Sequence, residues 1–139
     1  MKYYAVIDTN VIISSLLKED SIPGKIVEYV ANNVIIPFVN DEILKEYYEV
    51  ATRNKFNIDE NRITSTIEMF KKQAIFIDQD KIDEVFIDKD DVVFYEIVMT
   101  ARKTTDSYLV TGNMKHFPKK SFIITPREMY EIVEGEKRH

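Results

Sequence analysis

Four places in this sequence carry residues that could do chemistry: Asp8, Glu46, the acidic run Asp88-Lys89-Asp90-Asp91, and Asn113. All are oxygen donors, and carboxylate is what the chain has in supply, with 24 Asp plus Glu against 19 Lys plus Arg and a net charge of −5. It has no cysteine, which excludes disulfide scaffolds, zinc–thiolate sites, iron–sulfur clusters and cysteine nucleophiles. Histidine occurs only at His116 and His139, so a mechanism needing two or more histidines is all but excluded. The three glycines, Gly24, Gly112 and Gly135, are far apart and spell no phosphate-binding loop. The acidic balance argues against affinity for nucleic acid through charge alone. It leaves open a nucleic-acid enzyme whose carboxylates bind a divalent cation, because the cation reverses the local sign.

Each candidate has a plain structural reading beside the chemical one. Asp8 follows the apolar run Tyr3-Tyr4-Ala5-Val6-Ile7. It can cap the next helix, or, as a poorly solvated carboxylate at the end of a buried strand, it can ligate a metal. Glu46 falls at the margin of an apolar helical sector, three residues after Ile43 and four before Val50. Such a glutamate either snorkels to solvent or reaches over the sheet edge toward Asp8. The acids at 88–91 complement the dipole of a helix starting near Val92, and ideal phasing turns Asp90 rather than Asp91 toward the Phe94 and Ile97 face. Asn113, after Gly112, suits a turn that visits the left-handed region.

The elements that must position these residues alternate between strand and helix. Strands are expected at residues 3–7, 34–39, 107–111 and 122–125, with a short further one at 74–77. Pro37 points to a sheet edge or an irregular strand end. Helices are expected over 11–17, over 24–32 behind Pro23, over 40–53 with Ile43, Leu44, Tyr47, Tyr48, Val50 and Ala51 on one side, and over 59–72 with Ile63, Ile67 and Phe70 inward. Another holds Phe94, Ile97, Val98 and Ala101, and a last one starts at Pro126. This alternation predicts one α/β domain over residues 1–139: a mostly parallel sheet with helices on both faces, and chemistry beyond the carboxyl ends of the strands. Asp8 and Asn113 both follow strands at that end. The opening apolar segment, interrupted by Asp8 and Asn10, reads as neither a signal peptide nor a membrane span, so a cytoplasmic protein is expected.

In order along the chain, these segments resemble the PIN-domain family, in particular its branch of toxins from toxin–antitoxin systems. Val6-Ile7-Asp8-Thr9-Asn10-Val11 is similar to the family's opening strand motif, and Asn40-Asp41-Glu42-Ile43-Leu44-Lys45-Glu46 to its second acidic motif. Asp88-Lys89-Asp90-Asp91-Val92-Val93-Phe94 resembles the third, and Tyr108-Leu109-Val110-Thr111-Gly112-Asn113 the fourth. The resemblance spans residues 3–126. It implies an α/β/α sandwich and cleavage of RNA phosphodiesters with Mg²⁺ or Mn²⁺. The metal-binding acids carry over onto Asp8, Glu46 and Asp91, where motif spacing to Phe94 prefers Asp91 over Asp90. The fourth catalytic position carries over onto Asn113, where many members have Asp. Thr9 and Asn10 are expected to position Asp8 by hydrogen bonds, and Thr111 to act near Asn113.

An RNA substrate, a cognate antitoxin and a homodimer are the partners implied, with no membrane. Arg53, Lys55, Arg102, Lys103, Lys115, Lys119 and Lys120 are candidate phosphate contacts, His116 a candidate RNA contact, and Tyr47 and Tyr48 candidate interface aromatics. Asn113 motivates an alternative, a PIN fold without turnover that binds RNA or protein. An aspartate-based phosphotransfer fold fits less well. A haloacid-type phosphatase wants a second Asp where Asn10 stands, and a receiver wants a phosphorylatable Asp after a middle strand.

Overall fold

The computed structural model describes residues 1–82 and 89–137. Asp88 of the acidic run and His139 lie outside the described residues. The opening apolar run forms β1 (Tyr3–Ile7), whose Ala5, Val6 and Ile7 are wholly buried, as a strand covered on both faces must be. Then follow α1 (Thr9–Leu17), α2 (Ile22–Ala31), β2 (Ile35–Val39), α3 (Asp41–Ala51), a 3₁₀ turn (Asn54–Phe56) and α4 (Glu60–Gln73). The chain continues with β3 (Ile75–Phe76), α5 (Lys89–Ala101), β4 (Ser107–Val110), a second 3₁₀ turn (Met114–His116), β5 (Ile123–Ile124) and α6 (Pro126–Lys137).

The strands form one five-stranded sheet in the order β3-β2-β1-β4-β5, and every pairing is parallel. The two connections from β1 to β3 step one way along the sheet, and the connection through α5 steps back past β1. Right-handed crossovers therefore place α5 on the face opposite α2 and α4. In agreement, α2 and α4 pack on β2, whereas α5 packs on β1, β2 and β4. The result is an α/β/α sandwich. Strand order reverses at β1 and β4, so the crevice beyond their carboxyl ends is where polar residues can collect. No helix of the described residues is long and apolar enough to cross a membrane.

Three expectations are corrected. Pro37 is not at an edge: β2 lies between β1 and β3, with Ala5 opposite Pro37. Along β2, Val34 accepts from Tyr3 N on the β1 side, and Val39 accepts from Ile77 N on the β3 side. Alternation puts Pro37 on the β3 side, and β3 pairs only from Phe38 onward, so the missing N–H breaks no ladder bond. The helix expected near Val92 runs from Lys89 among the described residues, with Asp90 and Asp91 in its first turn, where acids suit the dipole. Tyr48 is 41% exposed, with its hydroxyl donating to Glu60, while its neighbour Tyr47 is 1% exposed. Tyr47 is not an interface residue: its ring packs against Phe70 and Phe94, and its hydroxyl donates to Ile7 O at 2.5 Å.

Candidate active site

Asp8 caps α1 and is 3% exposed. The register pairs Ile7 with Val110, and Asp8 N donates to Val110 O at 2.9 Å, which sets Asp8 beside Thr111. Both carboxylate oxygens are occupied. Oδ1 accepts from Thr9 N at 2.8 Å, and Oδ2 accepts from Thr111 Oγ1 at 2.7 Å and Asn10 Nδ2 at 2.9 Å. Burial pushes the Asp8 carboxyl up, against the hydrogen bonds from Thr111, Thr9 and Asn10 and the charge of His116, which pull it down. The Asn10 side chain also closes the β4 turn, accepting from Gly112 N at 2.8 Å. A Cβ on Gly112 would stand 3.1 Å from that Asn10 oxygen, so a glycine suits this close approach.

Glu46 projects from α3, half-buried, and accepts from Thr9 Oγ1 at 3.1 Å. Thr9 thus touches both acids, through its backbone to Asp8 and its hydroxyl to Glu46. Asn40 makes this possible by capping α3, its Oδ1 accepting from Ile43 N at 2.8 Å, so that Ile43, Leu44 and Tyr47 face inward and Glu46 falls at the rim. Burial raises the Glu46 carboxyl first. The Thr9 bond and Arg53 lower it, and the charges of Asp90 and Asp8 raise it further. The fully buried Tyr47 hydroxyl is held well above the usual phenol range by burial and by Asp8 and Glu46.

Asp91, in the first turn of α5, has a side chain 14% exposed and pairs with His116 Nδ1 at 3.0 Å. Asn113 is exposed, and its backbone N–H donates to Thr111 Oγ1 at 2.9 Å. Its φ of −116° lies outside the left-handed region, contrary to the turn reading. Asp8, Glu46, Asp91 and Asn113 all line one open cleft of about 400 Å³, together with Asp90, Thr9, Asn10, Arg53 and His116. Among the described residues, no group of three His, Cys, Asp or Glu side chains is gathered closely enough to hold a metal ion as it lies. The donor set is nonetheless chemically suited to a hard divalent cation: it is all oxygen, and its negative charges raise one another's affinity for positive charge.

Of the expected phosphate contacts, Arg53 lines the cleft. Arg102 is taken up elsewhere, stacked 4.2 Å over Phe122 and donating to Asp106 and the Ser107 carbonyl, and Lys103 pairs with Asp80. Two features were out of reach of sequence spacing. Thr111 serves Asp8 across 103 residues of chain rather than the Asn113 side chain, and His116 meets Asp91 across 25.

Residues 4–115 match the family described as "PIN domain". The chain is also similar to an uncharacterized protein, MJ1680, of Methanocaldococcus jannaschii, 29% identical over 116 residues that cover 81% of this chain and 72% of that protein. PIN domains are typically nucleases, and they generally use divalent metals. With the match running from β1 to the turn after β4, over every residue lining the cleft but His116, the chain belongs to the PIN-domain family.

Proposed function

We propose that this protein is a metal-dependent ribonuclease that hydrolyses RNA phosphodiester bonds, and that it is the toxin of a toxin–antitoxin pair, restrained by a cognate antitoxin. The observation that carries the nuclease reading is Asp8: a carboxylate 3% exposed, held by three hydrogen bonds that leave Oδ1 with a single donor, at the end of the strand where sheet order reverses, sharing a cleft with Glu46 and Asp91. Asp8, Glu46 and Asp91 would hold Mg²⁺ or Mn²⁺, with Asn113 as a neutral fourth donor. Bringing all three acids to one ion requires Glu46 and Asp91 to swing from Thr9 and His116. A bound divalent ion supplies an acidified water and charge neutralisation at the phosphate. The chain's own part is to fix Asp8 through Thr9, Asn10 and Thr111, to keep that carboxylate from bulk water, and to draw RNA phosphate with Arg53.

The test is RNA cleavage by the purified protein in Mg²⁺ or Mn²⁺. Wild type should cleave and Asp8→Asn should not; equal degradation by both overturns the assignment. A second reading, a PIN fold that binds RNA or protein without turnover, is favoured by the neutral Asn113 and by the separation of the acids among the described residues. Absence of any carboxylate-dependent Mn²⁺ binding would support it over the enzyme.

A further inference from the structure

We infer that the end of the cleft away from the carboxylates is a base subsite, in which an unpaired nucleobase of single-stranded RNA stacks on Phe56 and Leu17 while Arg53 and Lys55 meet its phosphates; this rests on the ribonuclease reading above. Helical spacing lays the cleft out in two zones. Along α1, Ile13 and Leu17 are one turn apart on one face, and Leu17 stands about 13 Å from Asp8 at a rise of roughly 1.5 Å per residue. Along α3, Glu46 and Val50 are one turn apart on one face, and the chain just beyond the helix adds Arg53 and Phe56 to the same cleft. Moving away from the acids, the wall therefore changes from carboxylate to hydrocarbon.

That hydrocarbon is open to solvent. Leu17 is 54% exposed, and Phe56 is half-buried. A single exposed leucine is ordinary, but one that shares an acidic cleft with an aromatic ring and Arg53, with Lys55 beside that ring, is a surface made for an amphipathic ligand. The Lys55 ammonium stands 5.1 Å over the Phe56 ring, and the charge of Arg53 reaches Glu46. Anionic backbone and flat apolar base are the two halves of a nucleotide, and the two zones complement them. A duplex keeps its bases inside its own stack and has none to offer Phe56, so the subsite selects single strands.

The test is binding, separated from catalysis. A single-stranded oligoribonucleotide carrying 2-aminopurine is titrated with the full chain in EDTA, following fluorescence and anisotropy. Wild type should bind and quench the probe. Phe56→Ala should weaken binding about 5- to 100-fold with loss of the quench, the range expected for a deleted base–aromatic stack. Phe56→Trp should restore it, and Leu17→Ser should weaken it less. Metal binding by Phe56→Ala, followed with Mn²⁺, should stay at the wild-type level, which shows that the acidic end is intact. Unchanged binding and quenching by both Phe56→Ala and Leu17→Ser, or equal binding of a duplex, overturns the subsite and leaves the wall to a protein segment. Such a result with wild-type cleavage intact leaves the ribonuclease reading standing, whereas absent cleavage defeats that reading on its own.

Discussion

Thr111 donates its hydroxyl to Asp8 Oδ2 at 2.7 Å, joining the ends of β4 and β1 at the point where the sheet reverses direction. Thr111 Oγ1 in turn accepts from Asn113 N, so one buried hydroxyl ties the acid to the turn that carries Asn113. Thr111→Val keeps the shape and removes both bonds. It should cost about 1–3 kcal/mol of stability, the scale of a lost hydrogen bond to a buried carboxylate, with Asp8 Oδ2 keeping its bond from Asn10. Thr111→Ser should recover most of that loss. Urea unfolding of the two variants checks the pair.

Gly24 sits where an added Cβ would lie 2.0 Å from the backbone oxygen of Glu19, and backbone cannot yield as a flexible side chain can. Gly24→Ala should therefore destabilise by about 1–3 kcal/mol. Gly135, in α6, meets nothing within 4 Å, so Gly135→Ala should stabilise by about 0.5–1 kcal/mol through helix propensity alone. Thermal unfolding should thus shift in opposite directions for the same chemical change.

The hydroxyl of Tyr29 donates to Glu134, joining α2 to α6, and burial together with that carboxylate pushes the phenol above its ordinary value. Because the folded value exceeds the unfolded one, the contribution to stability is whole below the ordinary tyrosine range and is lost as pH rises through the raised value. Stability of the wild type should therefore fall above about pH 10. Tyr29→Phe should be less stable at neutral pH and lose less between pH 10 and higher values. Tyr3, Tyr47 and Tyr48 are raised as well, so the difference between wild type and variant is the quantity to measure.

Local chemistry made much of this legible in the sequence. The run 3–7 could only be a covered strand, Asn40 before Ile43, Leu44 and Tyr47 announced a capped amphipathic helix, and Thr9 and Asn10 were placed beside Asp8 by adjacency. Pairings across the chain were not legible. Whether a proline interrupts a sheet depends on which side of the strand its missing donor faces and where the neighbour begins, and for Pro37 that is set by the length of β3. Tyr47 and Tyr48 have the same side chain on consecutive helical positions, and what separates core from surface is that Tyr47 meets Phe70, Phe94 and Ile7 O while Tyr48 meets Glu60. Asp90 and Asp91 lie inside α5 rather than before it, which sequence alone does not decide because acids both precede helices and fill their first turns. The bonds of Thr111 to Asp8 and of His116 to Asp91 exist only once β4 lies against β1 and the turn after it meets α5.

Calorimetric titration of the purified chain with Mn²⁺ tests the central claim most directly, since it asks whether Asp8, Glu46 and Asp91 act together on a cation before any RNA is present. Wild type should bind, and Asp8→Asn and Glu46→Gln should each weaken that binding by at least about tenfold, as loss of a ligand or its supporting contacts does elsewhere. Wild type that takes up no Mn²⁺, or that binds it as tightly after Asp8→Asn, contradicts the account.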